Sequence, residues 1–120
     1  MAIEQSEQGN LIGSDKVEGT TVYGADNEQI GSIERVMIDK KSGRVSYAVL
    51  GFGGFLGLGH DHYPLPWESL KYDTALGGYV TGITANELRK APHYSEATEW
   101  NWSDDAKVRA LNAYYGVPIV

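Results

Sequence analysis

The sequence predicts a mainly β protein: a small, highly bent antiparallel β-barrel with a short helical turn and a C-terminal α-helix. Five or six short runs of β-branched and aromatic residues lie between residues 20 and 83, and each is bounded by turn-forming residues. Helical signals appear only after these runs. A chain of 120 residues, 42% of them hydrophobic, is also about the size of one domain with one core. Short strands at this spacing are typical of a small antiparallel barrel.

The charge distribution divides the chain into three predicted parts. Residues 1–18 carry four acidic residues against one lysine, and we expect them to form a flexible acidic N-terminal arm. Residues 19–91 form the barrel domain, in which acidic and basic residues nearly balance. Residues 92–120 carry four acidic residues against two basic ones. This last part is predicted to be a linker plus a C-terminal helix that packs on the barrel or on a partner subunit.

The first half of the barrel has the clearest pattern. Residues 20–23 predict a strand, and residues 30–39 predict the next one. In the second strand the apolar positions change phase, so either a bulge near residues 34–35 redirects the strand or both of its faces are partly buried. A turn that ends at Gly43 then leads into an alternating apolar run. Residues 29–50 therefore predict a β-hairpin.

Two prolines define the second half of the barrel. Pro64 and Pro66 lie two residues apart within residues 62–67. Because proline has no backbone N–H to donate to a sheet, this segment is predicted to be an edge strand or an extended crossing. Residues 70–72 and 79–83 predict two further short strands on either side of a glycine pair.

Two helices follow the strands. Thr84 and Glu87 have the spacing of a capping box and predict a short helical turn. Ser103 is placed to cap a second helix of about 12 residues, and Gly116 is suited to end it. An isolated helix of that length is marginal in water. We therefore expect it to dock on its own barrel or on a second copy.

Composition excludes several classes of site and partner. The chain has no cysteine, which excludes disulfides, thiol nucleophiles, iron–sulfur clusters and thiolate zinc sites. Its net charge of −6 makes nucleic acid an unfavourable partner. The longest uncharged stretch, residues 45–59, is shorter than the ~20 residues that span a bilayer. Since the first residues also lack a signal-peptide pattern, we expect a cytoplasmic protein without membrane insertion.

A histidine pair is the strongest metal-like signal. On an extended strand His60 and His62 would point to the same side, and two imidazoles form half of a zinc or copper site. A third ligand would come from Asp61, Glu68 or His93. The alternatives are a polar loop end whose histidines face water, and a loop that gains charge near neutral pH. We predict no cofactor.

A glycine-rich apolar segment follows the hairpin. It does not match the glycine spacing of the dinucleotide-binding fingerprint, and no Walker lysine follows it. Phe52, Phe55, Leu56 and Leu58 are too many apolar side chains for a bare loop to bury. They either pack locally or associate with a partner or a second copy, since exposed apolar loops often mark interfaces.

Aromatic residues also lead into the C-terminal helix. Trp100 and Trp102 are predicted to anchor the start of the helix, either on the same chain or on a partner subunit. Tyr115 shares the apolar face of the helix. The candidate partner interface therefore consists of these residues: Phe52, Phe55, Leu56, Leu58, Trp100, Trp102 and Tyr115.

Four segments, in this order, resemble a PRC-barrel domain. They are residues 19–24, 31–39, 44–50 and 63–67, and the similarity covers roughly residues 17–90. The family takes its name from the cytoplasmic part of the H subunit of purple-bacterial photosynthetic reaction centres. It also includes the C-terminal domain of the ribosome maturation factor RimM. The chain looks like a stand-alone bacterial member, because only a polar arm precedes its barrel.

The resemblance implies a docking barrel without catalytic residues. Both named relatives use the barrel to bind other proteins, so the resemblance implies a non-enzymatic interaction module that can join a larger assembly. We expect a homodimer for a separate reason: a small barrel has a limited core, and the apolar loop and the C-terminal aromatic segment are too large to leave in water. The alternative is a small-molecule or metal-binding barrel that uses the His60 and His62 loop.

Overall fold

The structure, a computed structural model, describes residues 7–8, 11–51, 61–95 and 100–117. The first elements are short. Strands β1 (Glu7–Gln8) and β2 (Leu11–Ile12) pair in an antiparallel sheet of their own, and α1 (Ser14–Val17) follows. Val17, near the end of the predicted arm, is buried with the barrel core. The flexibility of that arm stays a prediction.

Six strands form the main sheet, in the order β6-β5-β4-β3-β8-β7. Two helices follow them. The bounds are β3 (Thr21–Tyr23), β4 (Gln29–Ile38), β5 (Val45–Gly51), β6 (Tyr63–Pro66), β7 (Leu70–Asp73), β8 (Gly78–Thr81), α2 (Ala85–Arg89) and α3 (Asp105–Tyr114). The predicted mainly β class, with a short helical turn and a C-terminal helix, is confirmed.

The connection between the edge strands requires the sheet to curl. β6 and β7 lie at opposite edges, yet only the 3₁₀ turn Trp67–Ser69 separates them in sequence. In a flat sheet these edges would be about 24 Å apart, because five strand spacings of about 4.8 Å separate them. The four peptide steps from Pro66 to Leu70 span at most about 14 Å. The sheet is therefore a curled half-barrel.

One strand pair in this sheet is parallel. All the neighbours pair antiparallel except β3 and β8. The reason lies in the same 3₁₀ turn, which bends the chain between β6 and β7 without reversing it as a hairpin would. β7 therefore continues in the direction of β6, and β8 returns parallel to β3. Sequence alternation carries no signal for this, because it reports faces and not strand directions.

The predicted bulge in β4 is confirmed. Ile33 pairs with Leu50 and Arg35 pairs with Val49, so Glu34 has no partner in the ladder. An extra residue of this kind shifts every later side chain to the opposite face of the sheet. It explains the phase change in the sequence, and it places the side chain of Glu34 at the end of β5.

The barrel core lies on the concave face of the sheet. Its largest members are aliphatic and come from β3, β4, β5, β6 and α2. Val22, Ile30, Ile33, Leu50, Leu65 and Leu88 are almost completely buried. The predicted capping box of α2 is present: the Glu87 N–H donates to Oγ1 of Thr84 (3.2 Å), and the Thr84 N–H donates to Oε1 of Glu87 (3.0 Å).

The C-terminal helix α3 is capped by Asp104. Oδ1 of Asp104 accepts from the N–H groups of Ala106 (3.1 Å) and Lys107 (3.3 Å). The prediction of Ser103 as the cap is wrong, because the Ser103 N–H binds Oδ1 of Asn101 in the preceding turn. Gly116 ends the helix with a φ of 69°, as its position predicts.

α3 packs against β6 of the same chain. The Tyr47 hydroxyl donates to Oδ1 of Asn112 over 2.9 Å, and the Tyr114 hydroxyl donates to the carbonyl of Glu87. The helix thus lies beside an edge strand whose prolines already remove backbone donors. Among the described residues, no helix has the length and apolar character needed to cross a membrane.

Candidate interaction surface

The predicted site residues fall into three groups. Five of them lie outside the described residues: Phe52, Phe55, Leu56, Leu58 and His60. Trp100, Trp102 and His62 lie together on one side of the barrel. Tyr115 lies apart from them, because its ring packs against the barrel core.

The shared side is the outer face of β5 and β6. The register pairs Tyr47 with Pro66 and Val49 with Pro64, so these four side chains point away from the barrel core. Val49 and Pro64 are nevertheless almost completely buried. A second layer must cover them, and α3 and the segment before it supply that layer.

A row of five rings runs across this layer. We call Tyr47, Trp102, Trp100, Tyr94 and His62 the aromatic row. Successive ring centroids are separated by 5.1, 6.3, 6.2 and 5.1 Å, and the rings are tilted against one another. Such distances are usual for aromatic pairs that stabilise cores and interfaces. The row therefore joins β5, the start of β6 and the C-terminal segment into one surface.

The two tryptophans in the row differ in environment. Trp100 is buried, with Lys107 5.6 Å from its ring centroid, whereas Trp102 is half-buried. The indole N–H of Trp100 is buried and has no hydrogen-bond partner in the described part of the chain. An unpaired buried N–H costs about 1–3 kcal/mol. Trp100 thus anchors the segment, as predicted, and Trp102 presents part of its ring at the surface.

A histidine–carboxylate contact closes one end of the row. Nδ1 of His62 lies 2.6 Å from Oε1 of Glu34, but the two groups do not form a hydrogen bond. The backbones of His62 and Tyr94 exchange two hydrogen bonds of 2.7 and 3.0 Å, and Arg35 donates to the Tyr94 hydroxyl over 3.3 Å. These contacts tie residues 62 and 94 together across the edge of the sheet.

A second histidine supports the same region. Nε2 of His93 lies 3.5 Å from Oδ2 of Asp61, and its Nδ1 lies 2.8 Å from the carbonyl oxygen of Ala91. The His93 ring stacks on Tyr63 at 4.9 Å. The His93–Asp61 contact therefore holds the C-terminal segment near the start of β6, whereas the His62–Glu34 contact joins that start to β4.

Glu34 also reaches the start of the glycine-rich segment. Its carboxylate lies against Gly51, where a Cβ would overlap it. Since Glu34 also contacts His62, one carboxylate touches the chain both before residues 52–60 and after them. Gly51 and His62, the described residues on either side of the predicted apolar segment, therefore both lie beside Glu34.

A metal ion at this surface would need a third ligand beside the two histidines. In residues 11–51, 61–95 and 100–117, no three histidine, aspartate or glutamate side chains form a group that could hold a metal ion. Nδ1 of His62 already faces Glu34, which leaves Nε2 as its second nitrogen. The metal site of His60 and His62 stays a prediction.

The sequence interpretation missed Tyr47, Tyr94 and Glu34 as parts of this surface. Tyr47 had the signal of a half-buried strand residue, and the bulge at Glu34 was itself predicted. What was missing was their proximity, because Tyr47 is 65 residues from Asn112 and Arg35 is 59 residues from Tyr94.

A family model described as PRC-barrel domain matches residues 9–85. The match contains all six strands of the main sheet and ends where α2 begins. Tyr94, Trp100, Trp102 and α3 lie beyond it. A search of curated proteins finds no match to the chain.

Proposed function

The chain belongs to the PRC-barrel family, and on that premise we propose that it is a non-enzymatic protein-interaction module. It acts as a docking adaptor in the cytoplasm and forms a homodimer. The surface is the aromatic row together with the apolar segment that contains Phe52, Phe55, Leu56 and Leu58. The single observation that carries this proposal is the aromatic row on the outer face of β5 and β6.

The row has the composition of an interface centre. Interface cores are rich in tyrosine and tryptophan and poor in acidic residues and lysine. Trp102 is partly exposed beside the buried Trp100, so a partner has a rigid aromatic platform to pack on. Four further apolar residues follow Gly51 in the sequence: Phe52, Phe55, Leu56 and Leu58. Together these groups can supply the central part of an interface of about 800 Å² per partner.

The ionisable groups of the surface support binding over catalysis. His62 faces Glu34, and His93 faces both Asp61 and a backbone carbonyl. Each contact holds one segment of the chain against another. A general base must instead face a substrate proton or a nucleophile.

Light scattering coupled to size-exclusion chromatography tests the homodimer. We expect the wild-type protein to be a dimer at tens of micromolar, and Phe55→Asp and Trp102→Ala to shift it toward monomer. Tyr72→Ala is the matched control, because Tyr72 is a partly exposed aromatic residue at the other edge of the sheet. A wild-type monomer refutes the dimer, and two dimeric variants refute the choice of surface.

Affinity capture from the native host tests the adaptor role. The wild-type chain should retain partner proteins that Phe55→Asp and Trp102→Ala lose, while Tyr72→Ala retains them. Circular dichroism melts of all four proteins show whether a loss follows from unfolding. A partner set that is identical for the four folded proteins contradicts the proposed surface.

A further inference from the structure

A groove of about 610 Å³ lies on a different part of the barrel. It is formed by β7, by the end of β8 and the residues after it, and by the β3–β4 turn, with Tyr115 of the C-terminal segment. Its volume is in the range of small-molecule sites. None of its lining residues belongs to the aromatic row, and the sequence predicted no site there.

Two buried hydroxyl groups in this lining have no partner. Thr81 is only 1% exposed, and neither its Oγ1 nor the Oη of Tyr115 hydrogen-bonds to the described residues. Buried polar groups are nearly always paired, so each exception calls for an explanation such as a missing ligand. Both residues line the groove, so a ligand bound there can supply the missing partner once the hydroxyls turn toward it.

The charges near these hydroxyls indicate which ligand fits. Burial raises the pKa of Tyr115, and the neighbouring Tyr114 and Tyr63 raise it further. The hydroxyl therefore stays protonated and can donate a hydrogen bond. An anion buried beside these hydroxyls is costly unless a counter-charge pairs with it, and Lys71, the cation in the lining, lies two residues from Asp73 on the same strand.

The outer part of the groove is balanced in charge. Lys71 and Asp73 lie two residues apart on β7, so their charges oppose one another on one face of the strand. Oδ1 of Asp73 accepts from the N–H groups of Ala75 and Leu76 in the adjacent turn. Neither an anion nor a cation is favoured at this position.

Apolar groups supply the remaining walls. Ala25, Val80, Ile83 and the ring of Tyr72 line the groove. Flat apolar bodies pack well against such walls, and a few polar groups then fix their orientation. The inner hydroxyls, the balanced charges and the apolar walls thus favour one chemical class.

We propose that this groove binds a small uncharged ligand with a planar apolar body and a carbonyl oxygen, such as an aromatic carboxamide. The carbonyl oxygen accepts from the hydroxyls of Thr81 and Tyr115. Neither oxygen is exposed, so both side chains must turn their hydroxyls toward the groove when the ligand binds. The hydrogen bonds to the ligand offset the free-energy cost of rotating these side chains. This inference is independent of the proposed interaction surface.

Benzamide is the probe, and benzoate is its charged counterpart of the same shape. Titrations followed by ¹H–¹⁵N NMR should give saturable shifts for benzamide at residues 69–73 and 80–83, in the millimolar range usual for so small a fragment. Benzoate should bind at least several-fold more weakly. Shifts confined to residues 61–63 and 93–95, or no saturable shifts, refute the site.

Variants separate the roles of the lining residues. Thr81→Val and Tyr115→Phe should each weaken benzamide binding about 3- to 10-fold, the value of one neutral hydrogen bond. Both should stay folded, because each removes only an unpartnered hydroxyl. Lys40→Gln, an exposed lysine of the β4–β5 turn outside the groove lining, is the control and should leave benzamide binding unchanged. Unchanged binding in both hydroxyl variants, or equal binding of benzoate that Lys71→Gln abolishes, refutes the proposal.

Discussion

The two faces of β5 and β6 are built by different rules although they belong to the same strands. The inner face carries Ala48, Leu50 and Leu65, which are completely buried among other aliphatic side chains. The outer face carries Tyr47 and is covered by a layer of rings, histidines and carboxylates from distant segments. The inner face is thus stabilised by the burial of apolar surface area and by close packing. The outer face depends on particular pairs, and it is the face that meets partners in our proposal.

The largest effect should come from the inner face. Leu65→Ala removes a fully buried side chain and leaves a cavity, so the free energy of unfolding should fall by about 2–5 kcal/mol. Trp102→Ala on the outer layer should cost less, because its ring is already partly exposed. Urea unfolding of both variants measures the difference. A larger loss for Trp102→Ala would show that the outer layer, and not the core, holds the fold.

A smaller effect should come from the hydrogen bond between Tyr47 and Asn112. Tyr47→Phe leaves a buried amide oxygen without its donor, so we expect a loss of about 1–2 kcal/mol. A double-mutant cycle with Asn112→Ala should give a coupling energy of about 0.5–1.5 kcal/mol. Additive losses in urea unfolding would show that α3 does not make this contact in solution.

A change that is mainly local should follow Gly51→Ala. The new methyl group overlaps the Glu34 carboxylate and displaces it from His62. Stability should change by no more than about 1 kcal/mol, because a flexible side chain can move away. The His62 ring signals in NMR should shift toward those of Glu34→Gln.

Gly82→Ala is the control for this substitution, because a Cβ there meets no atom within 4 Å. It should leave the His62 signals as they are in the wild-type protein. His62 signals that are also unchanged in Gly51→Ala would mean that Glu34 does not hold the two ends of the apolar segment together.

The smallest effect on stability should come from the turn between β4 and β5, which connects two strands of the sheet. The backbone N–H groups of Ser42 and Lys41 donate to Asp39 and lower the pKa of its carboxyl below the ordinary value of 3.8. The resulting stabilisation is complete above that value and is lost as the pH falls through the lower folded-state pKa. The stability difference between wild-type and Asp39→Asn should therefore be constant near neutral pH and shrink under acid conditions. A difference that does not depend on pH contradicts this role for Asp39.

Local features of the fold were predictable because they depend on neighbouring residues. The β4–β5 hairpin, the bulge at Glu34, the edge strand with its two prolines and the capping box at Thr84 all follow from short patterns. The cap at Asp104 was misassigned by one residue, since serine and aspartate are both good caps. Which of two adjacent candidates acts as cap depends on the backbone angles of the turn before the helix.

The candidate sites were only partly predictable because they depend on contacts between distant segments. The tryptophans were recognised as anchors, yet their neighbours Tyr47 and Tyr94 were not. The groove at Thr81 was missed altogether. A threonine in a short strand looks like an ordinary strand residue, and only the packing around it leaves its hydroxyl unpaired.

The amino-acid order alone determines the main strands, the turns and the short capped helix. Each of these depends on backbone sterics, hydrogen-bond donors or alternation within a few residues. The tertiary structure decides the parallel pair, the covering of the outer face by the C-terminal segment and the groove beside Tyr115. These arise because a three-residue turn forces the sheet to curl, and curling brings together groups that are far apart along the chain.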